Sequence, residues 1–274
     1  APRGRVGVTR RDVGFGALAA LCVPPRGSAA PRGQKRVVVV GGDGFVGSRV
    51  CEQLVGLGAT VVSVSRHPDV PAAPWAADVA WETGDALSRD VGRFFTGADA
   101  VISCVGALAT EDDETANGAT NENLAAAAKS ANVGKFVFVS NHPDVRAAGA
   151  SVVPGYLAGK QRAEQAIAEA FPGTRSVVLR PTLVYGGDVF NVNPPRVPAY
   201  WGSFVETVLS SPPLRLLAES AAPLPAVHVA LLPPVDVDTA ARAIAVAALS
   251  STSAVDIVGT DEIRALAAAA APVA

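Results

Sequence analysis

Four consecutive valines, Val37–Val40, run directly into Gly41-Gly42-Asp43-Gly44-Phe45-Val46-Gly47, and this junction constrains the chain more than any other stretch. A β-branched run without alternation suits a strand buried on both faces, as in the middle of a parallel sheet. Behind it, Val46, Val50, Leu54 and Leu57 recur at helical spacing until Gly58, which predicts a helix over 45–57. Gly41, Gly44 and Gly47 thus form a GxxGxxG set between a strand and its helix. Gly41 lets the chain turn sharply, Gly44 lets the backbone approach a pyrophosphate, and Gly47 lets helix and strand pack closely. Free N–H groups at the helix start, backed by its dipole, attract phosphate charge. The loop, with Phe45 and Val46 in it, therefore reads as a dinucleotide-binding element.

Strand and helix signals alternate from there on. Strands are expected at 60–65, 79–82, 100–105, 136–140, 176–179 and 255–258, with helices at 117–131, 159–170, 236–249 and 262–271. That alternation predicts an α/β fold, a doubly wound parallel Rossmann sheet. At 274 residues and 49% hydrophobic, the chain can bury one enlarged core, so 35–274 is taken as a single domain. Its C-terminal portion, about 187–274, is expected to be a small Pro-rich substrate or docking region. Pro194, Pro195, Pro198, Pro212, Pro213, Pro223 and Pro225 are expected to interrupt regular structure, leaving loops and short helices.

The formal net charge of −2 gives no global field for nucleic acid or anionic membranes. Residues 1–36, however, carry eight basic side chains against Asp12 alone, a local net charge of +7. Within 1–34, Thr9-Arg10-Arg11-Asp12, the apolar run Val13–Val23 and then Pro24-Pro25-Arg26-Gly27-Ser28-Ala29-Ala30 have the layout of a twin-arginine export signal or a basic organellar leader. The chain starts at Ala1 and contains no methionine, as expected of a processed form. Kept in place, this arm is expected to lie on a membrane surface or a partner. Cys22, Cys51 and Cys104 are too scattered for a disulfide framework or a metal site.

The end of the second strand bears on the choice of nucleotide. An NAD site would place Asp or Glu there for the ribose hydroxyls, whereas this chain has Ser65-Arg66-His67. A guanidinium suits a 2′-phosphate, so NADP(H) is expected rather than NAD(H). Asp85, in Thr83-Gly84-Asp85, is a candidate acceptor for the adenine amino group, or else a turn former. Ser103-Cys104-Val105-Gly106 would bring backbone of Cys104, Val105 and Gly106 under the adenosine ribose.

With the glycine loop, Ser140, Tyr156-Leu157-Ala158-Gly159-Lys160 and Leu179-Arg180-Pro181-Thr182-Leu183-Val184-Tyr185-Gly186 in order, the chain resembles the extended and atypical short-chain dehydrogenases/reductases over about 35–250. The YxxxK and RPxxxYG pieces look most like the atypical branch, which includes the nucleotide-binding accessory subunit of respiratory complex I and plastid relatives. The resemblance implies Tyr156 as general acid/base, Lys160 as the group that lowers its pKa and holds the nicotinamide ribose, and Ser140 as orienter of a substrate carbonyl. It also implies a structural role for Asn117 and support of the nicotinamide carboxamide near Pro181. Four residues of separation do place Tyr156 and Lys160 on one helix face. The sixteen positions from Ser140 to Tyr156 are fewer than in catalytically active extended members.

Two functions follow as expectations. One is an NADP-dependent reductase of a small apolar carbonyl or isoprenoid-like compound, in an organelle, with a plastid and its thylakoids favoured over a mitochondrion. The other is a non-catalytic subunit holding nucleotide on a membrane complex. The segment 187–235, with Phe190, Tyr200, Trp201 and Phe204, would be a lid in the first and a docking surface in the second. His142 is read as a polar surface group, His67 and His228 as forming no metal-like cluster with carboxylates, and Glu111-Asp112-Asp113-Glu114 as a solvated loop before a helix.

Overall fold

The valine run forms strand β1 (Arg36–Val40), with all four valines buried. The structure is a computed structural model that describes residues 33–108, 110–187, 191–192, 195–251 and 255–269. Residues 1–32 of the expected N-terminal arm, and Phe190, lie outside the described residues. After β1 come α1 (Phe45–Gly56), β2 (Thr60–Ser65), β3 (Val79–Thr83), β4 (Ala100–Ser103), α2 (Asp113–Asn117), α3 (Ala119–Ser130) and β5 (Lys135–Val139). Then follow α4 (Pro143–Gly149), α5 (Pro154–Ala170), β6 (Ser176–Arg180), β7 (Val184–Tyr185), β8 (Asn191–Val192) and β9 (Pro195–Arg196). The chain continues through α6 (Ala199–Leu209), α7 (Pro212–Ala221), α8 (Pro225–Leu231), β10 (Val235–Asp236), α9 (Val237–Leu249), β11 (Asp256–Val258) and α10 (Gly259–Ala268).

Seven strands make one parallel sheet in the order β11-β6-β5-β4-β1-β2-β3. Alternation along β1 divides the core. Val37 and Val39, with Ile102, Val137 and Leu179, pack against Val50 and Leu54 of α1, Ala241 and Ile244 of α9, and Ile263 of α10. Val38 and Val40, with Val101, Phe136 and Phe138, face Leu124 and Ala128 of α3 and Ala163 and Ile167 of α5. The expected doubly wound sheet is therefore what the chain builds. Strand order reverses between β1 and β4, and such a switch point opens a crevice beyond the carboxyl ends of those strands. Lys35 donates to Leu249 O (2.8 Å), and Lys135 to Ala247 O (3.1 Å) and Ser250 O (2.6 Å), so two cations satisfy carbonyls at the end of α9.

Three local expectations change. The helix expected over 117–131 forms as α3, but a short helix α2 precedes it and stops at Gly118, where α2 and α5 cross closely: a Cβ on Gly118 would lie 2.8 Å from Glu114 O and 3.1 Å from the Cα of Gly159. Helix α5 starts at Pro154, earlier than expected, since proline costs nothing in a first turn. For the same reason Pro212 and Pro225 open α7 and α8 instead of interrupting them. Among the described residues no helix is long and apolar enough to cross a membrane.

Candidate functional site

The glycine turn sits at the crevice. Gly41 has φ +79°, a left-handed backbone that favours glycine, and its N–H donates to Val64 O at 2.8 Å. A Cβ on Gly47 would sit 2.0 Å from Gly41 O, so only a bare α-carbon lets α1 start directly behind β1. Gly44 is the N-cap of α1, and no side chain caps that helix. An uncapped helix start facing a crevice is where a phosphate is held by backbone N–H groups, so these residues fit a dinucleotide. Gly41 also lies against the Cys104 backbone, where a Cβ would meet Cys104 C and O at 3.4 Å. The structure thus brings Gly41, Gly44 and Gly47 with Phe45 and Val46 beside Cys104 and Val105, at the ends of β1 and β4.

At the end of β2, Arg66 is exposed and forms no ion pair among the described residues. The Ser65 hydroxyl, by contrast, donates to Asp43, which places a carboxylate of the glycine loop at the same strand end. Asp85 accepts from Leu87 N at 2.9 Å and so carries out its turn-forming role.

Across the crevice, Tyr156 and Lys160 lie one turn apart on α5. The Lys160 ammonium is buried, donates to Val139 O at 2.8 Å, and stands 4.7 Å from the Phe138 ring centroid and 5.8 Å from that of Tyr156. A Cβ on Gly106 would lie 2.7 Å from Asn117 Oδ1 and 3.1 Å from Lys160 Nζ, so bare backbone there admits both polar groups. Asn117 Nδ2 donates to Ala107 O and Asp113 O, both at 2.7 Å, while its buried Oδ1 has no donor among the described residues. Burial lowers Lys160 to about 8, against the opposing pull of Cys104 and Glu164. Burial, with help from Asp113, raises Tyr156 to about 12, and burial raises Cys104 to about 12 against the influence of Lys160. At neutral pH the phenol and the thiol therefore keep their protons. Next to Tyr156, Thr110–Glu114 and Val152–Gly155 line a cavity of about 460 Å³.

Ser140 takes part in a different network. It is buried at the end of β5 with its hydroxyl donated to Glu164, whose Oε1 also receives Arg180 (2.6 Å) and Arg146 (2.7 Å). Burial opposes the Glu164 charge, but hydrogen bonds from Arg180, Ser140 and Arg146 outweigh it and keep its pKa low. Arg180 extends the network to Asp256 at 3.0 Å. Pro181, just beyond β6, is buried and accepts His142 N at 2.9 Å.

The sequence of this chain matches the family described as NAD(P)H-binding over residues 41–192, which is more than half its length. The chain belongs to that NAD(P)H-binding family. It is 36% identical to the uncharacterised chloroplastic protein At1g32220 of Arabidopsis thaliana over 220 residues, covering 77% of this chain and 70% of the relative. A shorter stretch, 36% identical over 61 residues, is similar to MIOREX complex component 2 of Saccharomyces cerevisiae, covering 20% of this chain and 22% of that protein. Among solved structures, the UDP-N-acetylglucosamine 4-epimerase of Methanobrevibacter ruminantium M1 has a similar fold, with a TM-score of 0.54 and 17% identity over 83% of this chain and 76% of the other.

Several residues of this NAD(P)H-binding protein escaped sequence reasoning. Glu164 continues the spacing of Tyr156 and Lys160 by one more turn on the same helix face, a signal already present in the helical period of YxxxK. Asp43 stood inside the glycine loop, but its position beside Ser65 depends on how the loop folds. His142 is not a surface group: it is buried, caps α4 by accepting Asp144 N at 3.2 Å, and has its pKa lowered by burial. His228 meets one carboxylate, with Nδ1 2.5 Å from Asp144 Oδ2, and its ring lies 6.3 Å from that of His142. These contacts join α4 to α8, which are far apart in sequence. No group of three side chains among the described residues could hold a metal ion. In the acidic run, Asp112 caps α2 and Glu114 pairs with Arg162 at 2.7 Å.

Proposed function

We propose that this NAD(P)H-binding protein takes NADP(H) in preference to NAD(H) and reduces a small, uncharged, apolar carbonyl compound in a plastid. The placement of buried Lys160 against Gly106 at the switch point of the sheet, with the Tyr156 ring 5.8 Å from its ammonium, carries the reading. Bound NADPH supplies the hydride. Lys160, an ammonium below about pH 8, would hold the nicotinamide ribose, and Tyr156 would give its phenolic proton to the oxygen of the carbonyl being reduced, leaving an alcohol. A phenol held at about 12 stays protonated at neutral pH, which suits the reducing direction. Ser140 can orient that carbonyl only by turning its hydroxyl away from Glu164. Carboxylates around the neighbouring cavity repel anionic substrates, while Val152, Val153 and Pro154 favour apolar ones. Exposed Arg66 is the receiver for the 2′-phosphate, and the chloroplastic relative supports a plastid.

A non-reacting nucleotide-holding subunit of a plastid or mitochondrial membrane complex is the second reading. The engagement of Ser140 by Glu164 favours it, and the yeast relative is named as a component of a complex. Fluorescence titration of the purified chain should show NADPH binding at least about tenfold tighter than NADH, with the preference lost in Arg66→Ala. Tighter NADH binding that weakens in Asp43→Asn would instead assign Asp43 to the ribose hydroxyls. Against a panel of neutral ketones and quinones, Tyr156→Phe should lower kcat by about a hundredfold or more without changing NADPH affinity. No NADPH consumption with any of them, together with migration of the native protein in a large complex, would support the second reading.

A further inference from the structure

Helix α6 is amphipathic in reverse. At 100° per residue, Tyr200, Trp201, Phe204, Val205 and Val208 fall in one stripe about 140° wide. All five are exposed, Tyr200 by 66%, Phe204 by 60% and Trp201 by 54%. Their rings touch, with centroids 5.7 Å apart for Tyr200 and Trp201 and 6.4 Å for Trp201 and Phe204, so the apolar surface is continuous. The opposite side holds Gly202 and Glu206, both buried. Gly202 lies so close to Tyr185 that a Cβ would be 2.1 Å from its ring, and the Glu206 carboxylate accepts from the Tyr185 hydroxyl and from Arg264. A helix on a water-facing surface normally points its carboxylate outward and its aromatics inward. Three inward contacts fix α6 the other way round.

The outward face also lacks the basic side chains that an acidic membrane would use. Ala199–Leu209 contains no Lys or Arg, and its one carboxylate is the inward Glu206. The Ser203 and Thr207 hydroxyls beside the stripe donate to carbonyls of their own helix, Tyr200 O at 3.2 Å and Ser203 O at 2.7 Å. Acidic lipids are met by clustered basic side chains. An uncharged lipid surface needs no such cluster, and Trp and Tyr rings settle in its interfacial zone.

We propose that the outward stripe of α6 seats this protein on a zwitterionic phospholipid surface, with Tyr200, Trp201 and Phe204 inserted at the level of the headgroups. Through Tyr185 the same helix adjoins the RPxxxYG end of the nucleotide-binding sheet, so a seated protein would keep its crevice close to the lipid. This proposal does not depend on the choice of nucleotide or on catalysis.

The test is flotation of the full chain with phosphatidylcholine vesicles, at low salt and at about 0.5 M salt, where charge attraction is screened within a few ångströms. We expect equal flotation at both salts, and quenching of tryptophan emission by brominated lipid that falls in Trp201→Phe while flotation remains. Trp201→Ser with Phe204→Ser should reduce vesicle binding about tenfold or more, with melting temperature and nucleotide affinity unchanged. Absence of flotation would overturn the proposal. So would flotation that salt abolishes or that the double variant leaves intact, since either assigns binding to the basic segment before residue 35. A dimer that the double variant converts to monomer, without vesicle binding, would assign the stripe to a second copy of the chain.

Discussion

Gly47 has no room for a methyl group, because its Cβ would sit 2.0 Å from Gly41 O, a backbone atom that can retreat only if β1 or α1 moves. Gly47→Ala should therefore abolish nucleotide binding and lower stability by about 1–3 kcal/mol or more, read by fluorescence titration and by urea unfolding. Lys160 gives a prediction with a definite sign. Its pKa is about 8 in the folded protein and 10.5 as the ordinary value, so below pH 8 both states are protonated and the full burial penalty applies. As pH rises from 8 to 10.5 the unfolded chain holds the proton that the folded one has lost, and the penalty is relieved. In urea titrations, wild type should thus gain up to about 3 kcal/mol relative to Lys160→Met over that interval. A loss over the same interval would contradict the burial of the ammonium.

Helix α5 shows how one element can serve chemistry and packing at once. Tyr156, Lys160 and Glu164 share a face, yet the first two look into the crevice while Glu164 bridges β5, α4 and β6 through Ser140, Arg146 and Arg180. Arg180 and Glu164 side chains are only 13% and 12% exposed, so Glu164→Ala leaves a buried guanidinium with the half-exposed Asp256 as its remaining carboxylate and should cost about 3 kcal/mol in urea unfolding. The control is Arg162→Ala on the same helix. It breaks pairs with Glu114 and Glu122, but Arg162 is 44% exposed, and the loss should be small beside that of Glu164→Ala. Equal effects would mean that the network around Ser140 contributes no more than a surface pair.

For the whole molecule, α9 is the element on which the two ends of the chain depend. Almost every residue from Ala240 to Leu249 is buried, and its small alanines let it lie close to the sheet and to α1 and α10. Lys35 and Lys135, at the starts of β1 and β5, both end on carbonyls at its C-terminus. Ending the chain after Pro234 would uncover Ile102 and Val137 on β4 and β5 and strip α1 of its helical neighbour. The truncated chain should show no cooperative thermal transition by far-ultraviolet circular dichroism, although residues 41–192 that mark the family are intact. A sharp transition in that fragment would show that the nucleotide-binding half folds alone.

Local pattern was enough to determine the parallel sheet, the glycine turn and the shared face of Tyr156 and Lys160. Strand burial, helix period and the left-handed turn at Gly41 are properties of neighbouring residues, so sequence carries them directly. The short helix α2 and its stop at Gly118 were not legible, because they depend on α2 meeting α5 at Gly159. The partners of Ser140, Asp43, His228 and Glu206 were hidden for the same reason: each lies on an element 20 or more positions away, as with His228 and Asp144, 84 apart. Nor could helical period orient α6, because an apolar stripe ordinarily faces the core. Only the inward contacts of Gly202 and Glu206 turned that stripe to the outside, since a buried carboxylate with two partners costs less than one left unpaired.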